Sequence, residues 1–273
     1  AFAGTLIAEH GLRLGIEPDL RVLADATRFQ LAARVVRDHR GSLRYVSGWV
    51  PTVIGDLLAL DGQLAEHLVA PDTVREFDQA PLDEGDALAK QLKWNTELAD
   101  ACRKRDELTV LVQEYREAKV AAEVMDFSDQ MAWGAQLAEL APVRESLQER
   151  FDVVLLDEYQ DTSIAQRDLL QSLFAGRPIS AVGDPAQGIY GWRGAASGNL
   201  TGFLNDFPGA DGAKGQLYGL NVTRRCAPEI IDLAGYVARD YYEQVADVVE
   251  PLTAAPENPP GQVTVALYDS VAT

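Results

Sequence analysis

The chain has 273 residues, 47% hydrophobic and 24% charged, a composition typical of a folded globular protein and not of a disordered one. Its 42 acidic and 24 basic residues give a formal net charge of -18, which by itself disfavours binding to a polyanion. Because Cys102 and Cys226 are its only cysteines and no signal-peptide layout or bilayer-length apolar run is present, the sequence predicts a cytoplasmic protein without a disulfide scaffold.

The first half of the chain is predicted to be mainly helical. Apolar residues recur at three-to-four spacing over residues 4–14, 52–70 and about 97–121, which predicts amphipathic helices there. The polar stretch 71–85 is predicted to be a loop. A long helical block ahead of the first strand signals indicates an inserted or appended helical subdomain.

The pattern changes at Phe151 to one of buried strands. Apolar runs at 153–156 and 179–182 predict two strands, and the segment between them predicts a helix capped by Thr162 or Ser163. A strand–helix–strand unit favours a parallel sheet covered on both faces. Three further elements are predicted: a strand over 217–222, a helix over 227–242 with Pro228 near its start, and a strand over 262–268.

Carboxylates follow both of the predicted buried strands. Asp157 and Glu158 follow the first strand, and Asp184 follows the second. Ligands of open parallel sheets bind beyond the carboxyl ends of the strands. One carboxylate can hold Mg²⁺ through water, and another can orient and deprotonate an attacking water molecule. The residue pattern alone leaves open that Asp157 and Glu158 merely end a strand.

The segments around these carboxylates, LLDEYQDTS and VGDPAQGIYGWRGA, resemble motifs II and III of the UvrD/Rep/PcrA-like superfamily 1 DNA helicases, which include the RecB-type motor subunits. The matching positions are Asp157, Glu158, Gln160, Asp161, Gly183, Asp184, Gln187, Ile189, Tyr190, Trp192, Arg193, Gly194 and Ala195. Their order and spacing make the resemblance specific.

Weaker resemblances flank these two motifs. LNVTRRCAPEI is similar to motif IV, with Arg225 at the family's arginine and Thr223 and Arg224 in place of its Asn and Tyr. AFAGTLIAEHG is similar to the sequence after motif Ib. Tyr115, Lys119 and residues 125–129 resemble the segment by which the family's chain re-enters the first motor domain.

The resemblance implies an α/β fold: part of a RecA-like P-loop NTPase parallel sheet with an inserted all-helical subdomain. Residues 1–15 would be a remnant of the first RecA-like domain, and 16–111 the helical insertion. Residues 112–212 would return to the first RecA-like domain with motifs II and III, and 213–273 would begin the second RecA-like domain with motif IV.

The resemblance also implies ATP and Mg²⁺ as cofactors. Asp157 would hold Mg²⁺, and Glu158 would be the general base for the attacking water. Gln187 would sense the γ-phosphate, and Arg225 would reach the same phosphate from the second motor domain. Phosphoryl transfer depends on positioning and charge stabilisation, so a guanidinium fixed at the γ-phosphate has a large effect on the rate.

Tyr190, Trp192 and Arg193 are the candidate DNA-binding residues. If the segment is extended, the rings at i and i+2 face the same way. The resemblance implies that they stack on bases of single-stranded DNA and that Arg193 contacts phosphate or couples the two sites. Since binding depends on the field within about 10 Å, weak and salt-dependent binding is compatible with the acidic chain.

The implied function is an ATP-dependent DNA helicase that translocates on single-stranded DNA, acts at single-strand/duplex junctions with 3′-to-5′ polarity, and serves DNA repair or recombination with repair or nuclease partners. Two alternatives remain: the motor subunit of a RecB-type helicase–nuclease, and a non-catalytic DNA-binding or partner-docking relative. No G-x-x-x-x-G-K-[ST] phosphate-binding loop is present in the sequence. We therefore expect an internal fragment that has no ATPase or unwinding activity by itself.

Overall fold

The computed structural model describes residues 2–17, 19–88, 93–196, 198–245 and 249–266, except the side chains of 80–96 and of Arg193. The α-helices are α1 (Phe2–His10), α2 (Asp25–Asp38), α3 (Val50–Glu66), α4 (Pro71–Leu88), α5 (Lys93–Ala121), α6 (Phe127–Ala138), α7 (Ala141–Arg150), α8 (Ile164–Phe174), α9 (Gly198–Asp206) and α10 (Pro228–Gln244). The strands are β1 (Arg21–Val22), β2 (Val124–Met125), β3 (Val154–Leu156), β4 (Ile179–Ala181), β5 (Val222–Thr223) and β6 (Thr253–Ala254). Among the helices described, none is long and apolar enough to cross a membrane.

Helices α2 to α5 form the helical block that the sequence indicates. Leu57 of α3 and Leu111 of α5 are fully buried in a core that the four-residue spacing of apolar side chains creates. Strand β1 pairs in parallel with β2, Arg21 opposite Val124, so the two ends of the block lie side by side. Helix α5 continues without a break across residue 111.

The predicted loop over 71–85 is wrong, because this segment lies within helix α4. Pro71 is the first residue of the helix, where a missing backbone N–H removes no intrahelical bond. Asp78 of α4 is buried and accepts a hydrogen bond from Arg105 Nε of α5 at 2.7 Å. The contact with α5 therefore holds in place a helix that its polar composition did not predict.

The predicted strand–helix–strand unit is confirmed by β3, α8 and β4. Strands β3 and β4 are parallel, with Leu155 opposite Ser180. Ser163 is the N-cap of α8: its hydroxyl accepts from Gln166 N at 3.2 Å, and its own N–H donates to Gln166 Oε1 at 2.9 Å. This reciprocal pair satisfies two backbone N–H donors at the start of the helix.

The expectation that helices cover both faces of this sheet is wrong for the described residues. Val154 faces inward and packs against the core that α8 helps to form. Leu155, which points to the opposite face, is 78% exposed, and Val182 is 51% exposed. Alternate side chains of a strand point to opposite faces, so an uncovered face exposes every second residue.

The last part of the chain differs from prediction at its strands. Helix α10 is confirmed, with Pro228 as its first residue. The predicted strand over 217–222 is wrong except at its last residue, because β5 begins at Val222 and pairs with β6, which was not predicted. Residues 262–266 form no strand, and 267–268 lie outside the described residues. Asn258 Nδ2 donates to the carbonyl oxygens of Thr223 and Cys226, at 2.9 and 2.7 Å, and this side chain thereby organises the turn after β6.

Candidate nucleotide and DNA site

The ends of β3 and β4 bring the two predicted carboxylate segments together. Val182 N donates to Leu156 O at 2.8 Å, and Tyr159 N donates to Val182 O at 3.0 Å, so the ladder continues past both strands. Asp157 and Glu158 therefore leave the sheet beside the segment that carries Asp184. Both Asp157 and Glu158 are exposed. The two carboxylate segments therefore lie at the same carboxyl-terminal edge of the parallel pair β3 and β4.

Glu158 has a left-handed backbone conformation, with φ 51° and ψ 43°. This region is uncommon for residues other than glycine and costs of order 1 kcal/mol. It turns the chain sharply from β3 into the 3₁₀ turn Tyr159–Asp161. The Glu158 N–H donates to Asp157 Oδ1 at 3.0 Å, which holds the Asp157 carboxylate against the backbone of the turn.

Gln160 bridges the two segments from a buried position, with 4% of its surface exposed. Its Nε2 donates to Glu158 Oε2 at 2.6 Å, and its Oε1 accepts from Asp184 N at 3.1 Å. A Cβ on Gly183 would lie 2.5 Å from Gln160 Oε1. Glycine is therefore required at position 183 for the amide to reach the second strand.

Asp184 extends the network to Gln187. Its Oδ1 accepts from Ala186 N at 2.9 Å and caps the 3₁₀ turn Pro185–Gln187, while its Oδ2 accepts from Gln187 Nε2 at 2.9 Å. A continuous chain of hydrogen bonds thus runs from Glu158 through Gln160 and Asp184 to Gln187. The Gln187 side chain is otherwise exposed at the same edge of the sheet.

The candidate DNA-binding aromatics lie on the next turn. The segment Gly191–Arg193 is a 3₁₀ turn, so the extended conformation considered for it is wrong. The rings of Tyr190 and Trp192 are nevertheless neighbours, with centroids 6.3 Å apart and planes at 54°. Trp192 is 72% exposed and offers a ring face to a ligand. The side chain of Arg193 lies outside the described residues.

Close contacts fix the position of this aromatic turn. Gly194 has φ 85°, and a Cβ there would lie 2.8 Å from Glu66 Cβ at the end of α3. Ala195 forms an isolated antiparallel bridge with Ser163, the cap of α8. Asn199 is buried, and its Nδ2 donates to Ser163 O at 3.2 Å. The turn is therefore attached to both the helical block and the segment after β3.

Arg225 lies on the segment after β5. Its side chain is exposed, and its N–H donates to Thr223 Oγ1 at 3.2 Å. No described hydrogen bond or ion pair joins Arg225 to the network at the sheet edge. The nearby helix α10 does touch that network, because Tyr241 Oη donates to Pro185 O at 3.1 Å. Burial, with a contribution from Asp184, raises the pKa of Tyr242.

The donor set at the sheet edge fits a hydrated Mg²⁺. The described residues contain no group of three or more His, Cys, Asp or Glu side chains arranged to hold a metal. Mg²⁺ keeps several waters and binds proteins through one or two carboxylates, usually together with substrate phosphates. Asp157 is an exposed oxygen donor at the end of β3, which meets this requirement.

Sequence reasoning missed how the site is supported. The motif match includes Gln160, but no spacing rule shows that its amide spans two strands. Tyr159 is fully buried, with its ring 5.2 Å from that of Phe203 in an edge-to-face contact. Asn199 carried no signal in the sequence. These residues act through partners more than 20 positions away, which local patterns do not reveal.

Comparison with known proteins identifies the family. The model of the UvrD/REP helicase N-terminal domain matches residues 1–208. The chain belongs to the UvrD/REP helicase family. It is 41% identical over 105 residues to DNA helicase II of Rickettsia typhi, a match that covers 37% of this chain and 16% of that protein.

Two further relatives of the UvrD/REP chain agree with this assignment. DNA helicase II of Escherichia coli K12 is 41% identical over 102 residues, covering 36% of this chain and 14% of that protein. The ATP-dependent DNA helicase PcrA of Staphylococcus aureus Mu50 is 41% identical over 91 residues, covering 33% of this chain and 12% of that protein. The chain matches only about a seventh of the length of these DNA helicases.

Proposed function

We propose that this UvrD/REP chain is part of an ATP-dependent DNA helicase. It supplies the sheet edge at which ATP is hydrolysed and a surface that contacts DNA. The observation that supports this most is the hydrogen-bonded chain Glu158–Gln160–Asp184–Gln187 at the carboxyl ends of two parallel strands. The strands belong to a RecA-like sheet in this proposal. Residues 1–15 and 112–212 form the first motor domain, 16–111 the helical insertion and 213–273 the start of the second motor domain.

We assign the hydrolytic roles from the family resemblance, and the exposed positions of Asp157 and Glu158 at the sheet edge support them. When bound, Mg²⁺ neutralises charge on the ATP phosphates, and Asp157 is the residue that holds it. The Glu158 carboxylate accepts the proton of the attacking water. Gln160 donates to one oxygen of Glu158 and so orients the carboxylate. Arg225 adds positive charge at the γ-phosphate from the second motor domain.

The proposed coupling of hydrolysis to DNA depends on Gln187 and the aromatic turn. Gln187 is bound to Asp184 and precedes Tyr190 by three residues, so a change at the γ-phosphate reaches the aromatic rings through a short peptide. Stacking of a base on an aromatic side chain contributes about 1–3 kcal/mol and tolerates any sequence. Together these features suit translocation on single-stranded DNA, with 3′-to-5′ polarity and a role in cytoplasmic DNA repair or recombination.

The general-base role is tested by Glu158→Gln in the protein as its natural gene encodes it, because these 273 residues contain no phosphate-binding loop. We expect DNA-stimulated ATP hydrolysis to fall at least about 100-fold, the usual contribution of a positioned base, while ATP binding persists. Glu149→Gln, an equally conservative change on the exposed surface of α7, is the control. Normal turnover by Glu158→Gln would exclude the assignment.

The proposed DNA contact is tested on this chain with a fluorescent oligothymidylate. Trp192→Ala should weaken binding about tenfold or more, because a stacking surface for a base is lost. Tyr236→Ala removes another exposed ring, 71% exposed on α10, and should leave the affinity unchanged. Equal affinities for both variants would remove the role of Trp192. A chain that binds DNA normally but whose natural protein has no ATPase activity would favour the non-catalytic relative.

A further inference from the structure

A surface on the helical block has a charge opposite to that of the chain. Of the 24 basic and 42 acidic residues in the sequence, residues 26–55 contain five arginines and a single acidic residue, Asp38. Four of these arginines are exposed: Arg34, Arg37, Arg40 and Arg44. In a protein of net charge -18, this segment carries a local excess of positive charge. A ligand within about one Debye length of the segment experiences this local charge more than the charge of the whole chain.

Exposed aromatic rings accompany the arginines. Tyr45 is 42% exposed and Trp49 is 69% exposed, while Leu43 and Val46 between and before them pack against the core of the helical block. The apolar anchors therefore point inward and the two rings outward. Arg103 of α5 lies over the Tyr45 ring, 5.4 Å from its centroid, which adds a cation beside it. We call Arg34, Arg37, Arg40, Arg44, Tyr45 and Trp49 the basic aromatic surface.

The loop between α2 and α3, which carries Arg40, Arg44, Tyr45 and Trp49 of this surface, has a fixed backbone. Glu107 of α5 accepts hydrogen bonds from the N–H groups of Arg44, Tyr45 and Val46, at 2.6, 2.8 and 3.0 Å. Ser47 Oγ accepts from Trp49 N at 3.1 Å, immediately before α3 begins. A preorganised loop loses less entropy when a ligand binds, so the exposed rings are ready for contact.

The acidic groups beside the basic aromatic surface are already engaged. Glu107 binds the three backbone N–H groups, and Glu114 pairs with His39 Nδ1 at 2.9 Å. Asp38 accepts from Arg37 Nε at 3.0 Å, in an exposed pair that a competing phosphate can replace. Arg34, Arg40 and Arg44 are in no described ion pair. The four arginines outnumber the neighbouring carboxylates Asp38, Glu107 and Glu114, so the surface keeps a local excess of positive charge.

We propose that the basic aromatic surface is a second binding site for single-stranded nucleic acid, separate from the aromatic turn of Tyr190 and Trp192. Arginines contact phosphates, and the rings of Tyr45 and Trp49 stack on unpaired bases, the combination that serves single strands in general. A duplex hides the faces of its bases, so the exposed rings favour a single strand as the occupant. The proposal rests on DNA as the substrate of the proposed function.

The two sites lie at opposite ends of helix α3. Trp49 is the N-cap of α3, and Gly194, two residues after Trp192, lies against Glu66 at its last turn. The 17 residues of α3 give a separation of about 25 Å along the helix. One strand of sufficient length can therefore occupy both sites, whereas a very short one can occupy only one at a time.

The test is tryptophan fluorescence of the full 273-residue chain titrated with an oligothymidylate of about 16 nucleotides. Stacking quenches indole emission, so the Trp192→Phe variant should show saturable, salt-sensitive quenching by the oligonucleotide. Adding Trp49→Phe to this variant should remove that quenching. Using the Trp192→Phe background separates this result from the proposed function, whose DNA contact is tested at Trp192. Unchanged quenching in the double variant Trp49→Phe/Trp192→Phe, or no quenching in Trp192→Phe, would overturn the proposal.

Charge reversal gives a second, independent readout. Arg40→Glu/Arg44→Glu should lower the slope of log affinity against log salt by about 1.4, since each phosphate contact with a single strand contributes about 0.7. Arg150→Glu/Arg239→Glu makes the same change in net charge at exposed positions on α7 and α10 and should leave the slope unchanged. Equal effects of the two variants would mean that only overall charge matters, which contradicts a local site.

Two competitors establish the class of ligand. A blunt duplex with the same number of phosphates can contact the arginines but should leave Trp49 emission unchanged, because its bases are already stacked. Polyglutamate of the same charge should fail to quench Trp49 and should displace the oligonucleotide only at high excess. If the duplex quenches as strongly as the single strand, or polyglutamate competes equally, unpaired bases are not recognised and the proposal is wrong.

Discussion

Two carboxylate clusters in this UvrD/REP chain are built from the same residue types but have opposite surroundings. At the base of the helical block, Asp61, Asp126 and Asp129 are withdrawn from solvent around Lys119. At the sheet edge, Asp157 and Glu158 are exposed and are hydrogen-bonded by backbone and amide groups. Burial and partners, and not residue identity, decide which cluster stabilises the fold and which is available to a ligand.

The buried cluster is neutralised by cations from its own chain. Lys119 Nζ lies 3.1 Å from Asp61 Oδ2, 3.2 Å from Asp126 Oδ2 and 2.7 Å from Asp129 Oδ1. Arg116 Nε donates to Asp61 Oδ1 at 2.7 Å. Burial opposes the charged ammonium, but the three carboxylates outweigh it and raise the pKa of Lys119. The cluster connects α3, α5 and α6, where the helical block meets the rest of the chain.

The exposed cluster lacks such a cation. Within the part of the chain whose side chains are described, no lysine or arginine forms an ion pair with Asp157, Glu158 or Asp184. Their partners are the Glu158 N–H, the Gln160 amide and the Gln187 amide. An exposed oxygen cluster without an internal cation is suited to a cation from solution, which supports the Mg²⁺ proposal.

The largest predicted effect comes from removing the buried cation. Lys119→Met should lower the free energy of unfolding by about 3–5 kcal/mol, because three buried carboxylates lose their common partner. Lys104→Met is the matched control, since Lys104 forms a more exposed pair with Asp56 that contributes at most about 1 kcal/mol. Urea unfolding followed by circular dichroism measures both. Equal losses would contradict the distinction between buried and exposed clusters.

The next prediction concerns the bridge in the exposed cluster. Gly183→Ala should destabilise the chain by about 1–3 kcal/mol, because its Cβ would lie 2.5 Å from Gln160 Oε1. Gln160→Ala should cost a similar amount, since it leaves the Asp184 N–H without its described partner. In the double variant the clash is absent. Its loss of free energy of unfolding should therefore be smaller than the sum of the losses in the two single variants. Full additivity in urea unfolding would show that the bridge does not form.

A third prediction uses pH to examine the buried cluster. Burial, together with the charge of Asp126, raises the pKa of Asp129 to about 6, although Lys119 acts in the opposite direction. The unfolded value is about 3.9, so the folded state binds the extra proton between pH 4 and 6. Stability contributed by this group is therefore lost as pH rises through that window.

The measurement compares the wild type with Asp129→Asn from pH 4 to pH 7. The wild type should lose stability relative to the variant as pH rises over this range, since the variant cannot ionise there. Asp168→Asn, on the partly exposed surface of α8, is the control and should show no such trend. A constant difference between wild type and Asp129→Asn would contradict the raised pKa.

The smallest predicted effect on stability is at the metal position. Asp157→Asn should change the free energy of unfolding by no more than about 0.5 kcal/mol, because the side chain is exposed. In the protein as its gene encodes it, the same change should sharply reduce Mg²⁺-dependent ATP hydrolysis. A large loss of stability would place Asp157 with the buried cluster, and normal hydrolysis would remove its proposed role.

Local sequence patterns predicted the elements that local interactions specify. The strands β3 and β4, the helix α8 with its Ser163 cap and the helix α10 after Pro228 follow from apolar runs and capping residues near in sequence. Motif spacing then predicted the residues at the sheet edge. The roles of all the site residues, Asp157, Glu158, Gln187, Tyr190, Trp192, Arg193 and Arg225, and the domain boundaries remain predictions.

The sequence by itself therefore determined the order of the main elements, the family and the types of residue at the sheet edge, because these depend on neighbours along the chain. Only the tertiary structure decided that 71–88 is helical, that Gln160 spans two strands and that Leu155 is exposed. It also decided that Lys119 is buried against Asp61, 58 positions away. The physical reason is that burial and the partners of a polar group are set by residues distant in sequence, which no local period encodes.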